Sequence, residues 1–421
     1  MPNDVETFNS APDPLQASKN THNPVYALKN KYFRRLWLGM FASINAMQMA
    51  GIAGSWLVYT LTESPFALGL VSAASGAPLI LLSLFGGAVA DRVRKRNLLL
   101  LTQSNLCLIT LLLFLLVFFD IVTLWHLVVA SIGTGFILAF NMPARQALIM
   151  ELVQEDELTN AIALNSMAGN ICRVGSPAIA GVLLKLIGIP GVYCIVATFY
   201  GIAVMSLLLI PRGEPRATGQ NPDLIRDVVE GLKYVGNNKI LLTLLIIAFV
   251  PIIVASSYIT LMPVFAKTVF EVGETGFGLL LSAGGAGALC GTALIAFLGN
   301  YKRKGALLLI TGLVFGASLL CFGLMTSLIP AMVSLFFVGS GGSMFMTLVM
   351  SLIMSHTPKE LTGRVMSIFI MSYGLMPLSG LPSGALAEVF GAPLVVSAGG
   401  GILFLFILGV GLFQPDIRQL E

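Results

Sequence analysis

Twelve long apolar segments constrain this chain more than any other feature. They run roughly over 36–60, 67–90, 98–119, 123–147, 158–185, 191–211, 240–265, 276–299, 306–326, 330–354, 361–388 and 392–413. A helix needs about 20 apolar residues to cross ~30 Å of hydrocarbon, and each segment is long enough. Lipid offers the backbone no hydrogen bonds, so each segment must bond within itself, and helix is the expected form. A β-barrel would show ~10-residue alternating segments instead. Composition agrees. The chain is 56% hydrophobic and 10% charged, against about 25% charged in an average soluble domain. So little charge cannot cover a water-facing surface, which excludes a soluble enzyme, a nucleic-acid binder and a disordered protein. The expected fold class is an all-α integral membrane protein, with twelve transmembrane helices in two six-helix bundles and the lipid bilayer as solvent.

Lysine and arginine orient the spans, because cytoplasmic loops carry the excess of cations. With the N-terminus inside, the inner segments hold Lys29, Lys31, Arg34 and Arg35, then Arg92, Arg94, Lys95 and Arg96. They continue with Arg212, Arg216, Arg226, Lys233 and Lys239, then Lys302, Arg303 and Lys304, then Lys359, Arg364 and Arg418. The outer loops hold only Lys185 and Lys267. The expectation is a multi-pass inner-membrane protein with both termini cytoplasmic.

Residues 1–24 are polar, rich in Pro and Asn and without an apolar core. They read as a disordered tail rather than a cleavable leader. Residues 25–211 are expected to form the first bundle and 240–413 the second, with 414–421 a short tail. The linker 212–239 places Leu224, Ile225, Val228, Val229, Leu232 and Val235 at helical spacing beside charged residues. That pattern predicts an amphipathic helix on the membrane surface.

The two halves resemble each other. Glu157-Leu158-Thr159-Asn160 matches Glu360-Leu361-Thr362-Gly363, 203 residues later. At the same offset Ser176, Gly181 and Gly188 match Ser379, Gly384 and Gly391. Parallel six-helix repeats are a transporter architecture, with the substrate site between the halves. The 44 glycines cluster inside spans, where small residues allow close helix contact, static or sliding.

Chemistry is sparse. The five cysteines form no CxxC pair and read as buried hydrophobes. Neither a metal site nor a cofactor is expected, and no Gly-rich phosphate loop is present. An intramembrane enzyme would need acid, base or metal clusters at membrane depth, and a sensor would carry a soluble domain. The sharpest residue is Arg173, about 15 residues into the fifth span, which at 1.5 Å per residue is roughly 22 Å along it. An arginine at that depth should face a cavity or a partner. Two readings stay open: a substrate contact for an anionic or carbonyl-rich group, or a structural arginine bonded to Glu63 or to carbonyls near Pro177. Asn45 and Gln48 share a face of span one. Asn165 and Asn170 lie on span five, Ser257 and Tyr258 on span seven and Tyr373 on span eleven. Each is either a helix–helix hydrogen bond or part of a mostly apolar cavity suited to an amphipathic substrate.

The loop between spans two and three reads Gly86-Gly87-Ala88-Val89-Ala90-Asp91-Arg92-Val93-Arg94-Lys95-Arg96. Membrane anchoring explains its cations but not Asp91. This segment resembles the loop motif of the major facilitator superfamily, matched at Gly87, Asp91, Arg92, Lys95 and Arg96, with Arg94 where the motif has a second glycine. The resemblance implies that Asp91 helps latch the outward-facing state. Arg145 and Glu151, at the inner end of span four, would join Asp91 and Arg92 in an ion-pair network or else stay solvated. A second block, Asn141-Met142-Pro143-Ala144-Arg145-Gln146 with Glu157–Ala161, Arg173–Pro177 and Gly181, resembles the enterobactin-exporter and macrolide-efflux-like branch.

The resemblance implies a secondary transporter working by alternating access. It would export a small amphipathic or anionic molecule, siderophore-like or drug-like, by proton antiport. Ser176-Pro177 stands where antiporters of the family carry Gly-Pro. The coupling candidates are Glu63, Asp91 and Glu388, all near span ends. The carrier is expected to be a monomer, and a lipid or lysolipid flippase of the same fold is the alternative.

Overall fold

A computed structural model of the chain describes residues 26–153, 155–211, 233–298 and 303–420. Within these, the side chains of residues 26, 84–88, 90–92, 155–156, 359–360, 367 and 370–373 are outside the description. The expected tail 1–24 and most of the expected surface helix in 212–239 also lie outside the described residues. Every regular element among the described residues is helical.

The first half opens with α1 (Lys31–Thr62), α2 (Pro65–Arg92), α3 (Lys95–Phe118) and α4 (Leu124–Leu152). Local chemistry sets their ends. The Asn30 side chain accepts from the amides of Tyr32 and Phe33 and so caps α1. Ser64 caps α2, and Pro65 occupies the first turn, where an N–H has no helical acceptor.

The fifth and sixth spans form one helical run, Glu155–Leu208, broken at Gly188 with φ 70°. The Trp37 indole donates to the Leu164 carbonyl at 3.2 Å, and Gly39 packs against Ser206. Residues 164 and 206 therefore flank the same end of α1, so the chain reverses between them. We label the two arms α5 (155–187) and α6 (189–208).

In the second half α7 is segmented into Lys239–Val254, Ser257–Val264 and a π turn at Phe265–Val269. Then come α8 (Gly273–Phe297), α9 (Lys304–Leu324) and α10 (Leu328–Ser355). The segmented α11 (Lys359–Leu378 and Gly380–Phe390) and α12 (Ala392–Phe413) complete it. Among the described residues, ten helical stretches are long and apolar enough to cross a bilayer. The one containing Gly188 supplies two crossings and α11 one more, consistent with twelve.

The halves repeat one packing scheme: α1 with α5, α2 with α4 and α3 with α6 correspond to α7 with α11, α8 with α10 and α9 with α12. Positions 203 residues apart share geometry. Gly188 and Gly391 both take positive φ, 70° and 83°, with ψ of 178° and 146°, a region essentially confined to glycine. The Ser176 hydroxyl donates to Asn45 Oδ1 on α1 at 2.7 Å. Its counterpart Ser379 meets the Ser256 hydroxyl on α7 at 2.6 Å.

Candidate functional site

The halves meet along α1, α2 and α5 on one side and α7, α8 and α11 on the other. We call the membrane face at residues 62–65 the distal pole and the face carrying the termini the proximal pole.

At the distal pole the seam is shut. Glu388 on α11 accepts from the Ser64 hydroxyl at 2.8 Å and the Phe66 amide at 3.1 Å, placing a carboxylate at the N-terminal end of α2. Lys267 pairs with Glu63 at 3.0 Å, and its ammonium lies 5.5 Å from the centre of the Tyr59 ring. The Tyr59 and Thr268 hydroxyls are 2.7 Å apart, and Trp56 stacks on Phe277 with ring centroids 5.5 Å apart. The π turn at 265–269 carries Lys267 and Thr268 to α1, a use typical of such turns. Glu63 is 75% exposed, so its ion pair contributes about 0.2–1 kcal/mol. A carboxylate at a helix N-terminus adds about 0.3–1 kcal/mol. A pole held by several contacts of this size can open in response to a ligand of modest differential affinity.

Further in, bare backbones touch. A Cβ on Gly181 of α5 would lie 2.6 Å from the Glu274 carbonyl oxygen and 2.9 Å from Gly278 Cα of α8. Gly69 of α2 packs on Gly380 and Gly384 of α11 in the same way. Pro177 has no N–H, so the Arg173 carbonyl loses its helical donor. That carbonyl faces Gly285, where a Cβ would sit at 2.5 Å.

Beyond Gly285 the contact ends. The face of α8 that meets α5 continues through Leu289, Thr292 and Ala296, all exposed. The matching face of α5 continues through Asn170, half-buried, and Ser166, Ala163 and Thr159, exposed. Among the described residues, α5 and α8 are thus in contact toward the distal pole and parted toward the proximal one, while α2 and α11 stay in contact as far as Ile80 and Gly374.

Arg173 stands at the boundary. Its side chain is exposed, and its guanidinium lies within electrostatic reach of the Tyr258 hydroxyl on α7, across the gap. Among the described residues no ion pair joins it to an acid, and Glu63 is engaged by Lys267 instead. An arginine at bilayer depth costs about 2.5–3.5 kcal/mol on insertion scales.

The other polar candidates divide. Asn45 is a helix–helix bond: it donates to the Phe41 carbonyl and Cys172 Sγ and accepts from Ser176. Gln48 is half-buried. Asn165 is half-buried, and its Oδ1 lacks a partner among the described residues. Ser257 is buried and donates to the Val254 carbonyl at 3.4 Å. The Tyr373 side chain lies outside the described residues.

The charged residues of the loop motif also divide. The side chains of Asp91 and Arg92 and the surroundings of Gly87 lie outside the described residues. Lys95 pairs with Glu151 at 2.8 Å. Arg96 is buried and donates to the carbonyls of Leu207 and Leu208 at 2.9 and 3.0 Å, while Arg35 donates to Leu209 at 2.6 Å. Two guanidinium groups thereby close the C-terminal end of α6, where carbonyls lack helical donors. Arg145 points into the first bundle. It donates to Asn141 Oδ1 at 3.1 Å and Ser43 Oγ at 3.5 Å, beside Gln103 and a small cavity. Glu151 is thus tied to Lys95, and Arg145 to neutral side chains. Sequence reasoning missed the distal contacts of Tyr59, Ser64 and Thr268, and the signal for them was faint: Lys267 was one of two outer cations.

Glu63 and Glu388 both sit on the outward surface of the shut pole. A coupling carboxylate must face each compartment in turn, and in this state these two face only the distal side.

The described helices pack as two alike halves that meet along one seam. The chain belongs to the transmembrane secretion effector family of the major facilitator superfamily, whose profile matches residues 22–418. It is therefore a multi-pass membrane transporter and not an enzyme. It is 26% identical to the staphyloferrin A transporter of Staphylococcus aureus (strain NCTC 8325 / PS 47) over 80% of this chain and 85% of that protein. It is 25% identical to the enterobactin exporter EntS of Shigella flexneri, over 79% of each. Macrolide efflux protein A of Streptococcus pyogenes is 25% identical over 70% of this chain and 73% of its own length. In fold it is similar to the nucleoside transporter NupG, with a TM-score of 0.71 at 14% identity over 91% of this chain and 99% of that one.

Proposed function

We propose that this chain exports a small amphipathic or anionic molecule, siderophore-like or drug-like, by alternating access with proton antiport. The observation that carries the reading is the asymmetric seam, shut at Glu63–Lys267 and Glu388–Ser64 and parted beyond Gly285, with Arg173 at the boundary. With both termini cytoplasmic, as the distribution of Lys and Arg indicates, the parted side faces the cytoplasm. An exporter loads in that state. Relatives named for staphyloferrin A, enterobactin and macrolides supply the substrate range. The carrier works as a monomer in the plasma membrane, and Asp91 latches the outward-facing state from the cytoplasmic side.

The test is uptake into everted vesicles, with and without an imposed pH gradient, across siderophores, macrolides and lysolipids. Uptake of a siderophore or macrolide that rises when the vesicle interior is acidified is expected. Uptake indifferent to the gradient sinks the antiport, and uptake of lysolipid alone replaces the exporter reading with a flippase. The latch is tested by Asp91→Asn with cysteines placed across the proximal face. An unchanged cross-linking pattern sinks it.

A further inference from the structure

We propose that Arg173, with Asn170 and Ser166 below it on α5 and Tyr258 across the gap, forms an oxyanion subsite. It takes a carboxylate-bearing substrate and turns away organic cations. The proposal rests on the exporter reading and narrows its substrate range.

The placement of charge carries it. The guanidinium stands exposed where the seam parts, and among the described residues no ion pair or hydrogen bond joins it to another group. The nearby acids in the chain's ion pairs are spoken for. Glu63 holds Lys267 at the distal surface and Glu151 holds Lys95 at the proximal end. A fixed cation without a protein counter-charge is a seat for an anion, and a planar guanidinium matches a carboxylate through two parallel hydrogen bonds.

The neighbours are donors too. Asn170 and Ser166 precede Arg173 by three and seven residues, so they form one stripe along the parted face of α5. An amide, two hydroxyls and a guanidinium can all donate to an oxyanion. Asn45 lies in the same layer, but its bonds to Ser176 and Cys172 commit it to packing. The opposite wall, at Leu289, Thr292 and Ala296 of α8, is exposed and mostly apolar, with the Thr292 hydroxyl donated to the Ala288 carbonyl. An acid with an apolar body therefore finds its head held by α5 and its body against α8. An organic cation entering the same gap meets a like charge, and among the described residues these walls offer it no carboxylate.

The full-length carrier, purified in detergent micelles, tests this by equilibrium binding of radiolabelled citrate as the carboxylate probe. Citrate should bind the unmodified chain, with at least tenfold weaker binding to Arg173→Met, partial retention in Arg173→Lys and a several-fold loss in Tyr258→Phe. Tetraphenylphosphonium should not compete. Citrate should also protect Ser166→Cys from maleimide in a chain whose five native cysteines are replaced. This arm reads the site even if Arg173→Met fails to fold.

Equal binding to Arg173→Met, competition by tetraphenylphosphonium, or absence of protection at Ser166→Cys overturns the subsite. Displacement of citrate by phosphatidylglycerol in the micelle also overturns it and makes Arg173 a lipid-headgroup contact. Binding is read without transport, so these failures are distinct from failure of the exporter reading, which the vesicle assay detects.

Discussion

Single residues in this chain act chiefly by what they bond to, and its arginines differ for that reason. Arg96 donates to two carbonyls at the end of α6, and hydrogen bonds to a charged group contribute about 1.5–3 kcal/mol each. Arg96→Ala is expected to lower the melting temperature in detergent by several degrees, with Arg96→Lys intermediate because an ammonium cannot span both carbonyls as a planar fork does. A melting temperature unmoved by Arg96→Ala would remove the capping role. Ser176→Ala orphans Asn45 Oδ1, which costs about 1–3 kcal/mol for an unsatisfied buried group. Adding Asn45→Ala should recover part of that loss, and strict additivity in a double-mutant thermal series argues against the coupling. Arg173 was legible in the sequence as a cation at membrane depth. Its neighbour Tyr258 was visible only as one polar residue among several, because α5 and α7 lie in different halves and no spacing connects them.

Elements meet here through bare backbone. Gly181 and Gly278 bring α5 and α8 together, and Gly69 with Gly384 does the same for α2 and α11. A side chain at Gly278 would strike the Pro177 carbonyl, and a carbonyl cannot rotate aside as a side chain can. Gly278→Leu is expected to part the distal seam and lower transport severalfold at equal membrane abundance. Preserved cross-linking of cysteine pairs across the distal pole would contradict it. The spans were readable because an apolar run of about 20 residues admits one solution in lipid. The breaks inside α7 and α11 were not. The repeat offset marked Ser379, but nothing in the sequence tied Ser256, Ser379 or Pro377 to a helix break, and Ser256 and Ser379 meet where both helices are interrupted. The break at Gly188 was anticipated as the end of span five, and the positive φ there explains why glycine recurs at Gly391.

For the molecule as a whole, the state of the carrier follows from which pole is zipped. Glu388→Gln weakens the carboxylate contacts to Ser64 and Phe66, and Lys267→Ala removes the pair with Glu63 and the contact with Tyr59. Together they should open the distal pole more often. Ser72, whose hydroxyl donates to the Pro377 carbonyl at 3.0 Å inside the seam, supplies the reporter. Ser72→Cys should react at least threefold faster with a membrane-impermeant maleimide applied from the distal side in the double variant. Equal rates would mean that the glycine contacts alone hold the pole.

The order of residues was enough to establish that the chain lives in lipid, that its apolar runs are helices and that Arg173 stands where charge is expensive, and it pointed to two alike halves. Each of these follows from local composition, period or a fixed offset. It took the folded arrangement to establish that α5 faces α8 and α2 faces α11, that Glu63 serves Lys267 rather than Arg173, and that the seam is shut at one pole. The polar contacts Glu63–Lys267 and Ser64–Glu388 join residues 204 and 324 positions apart, and nothing in the covalent neighbourhood of either partner carries the identity of the other.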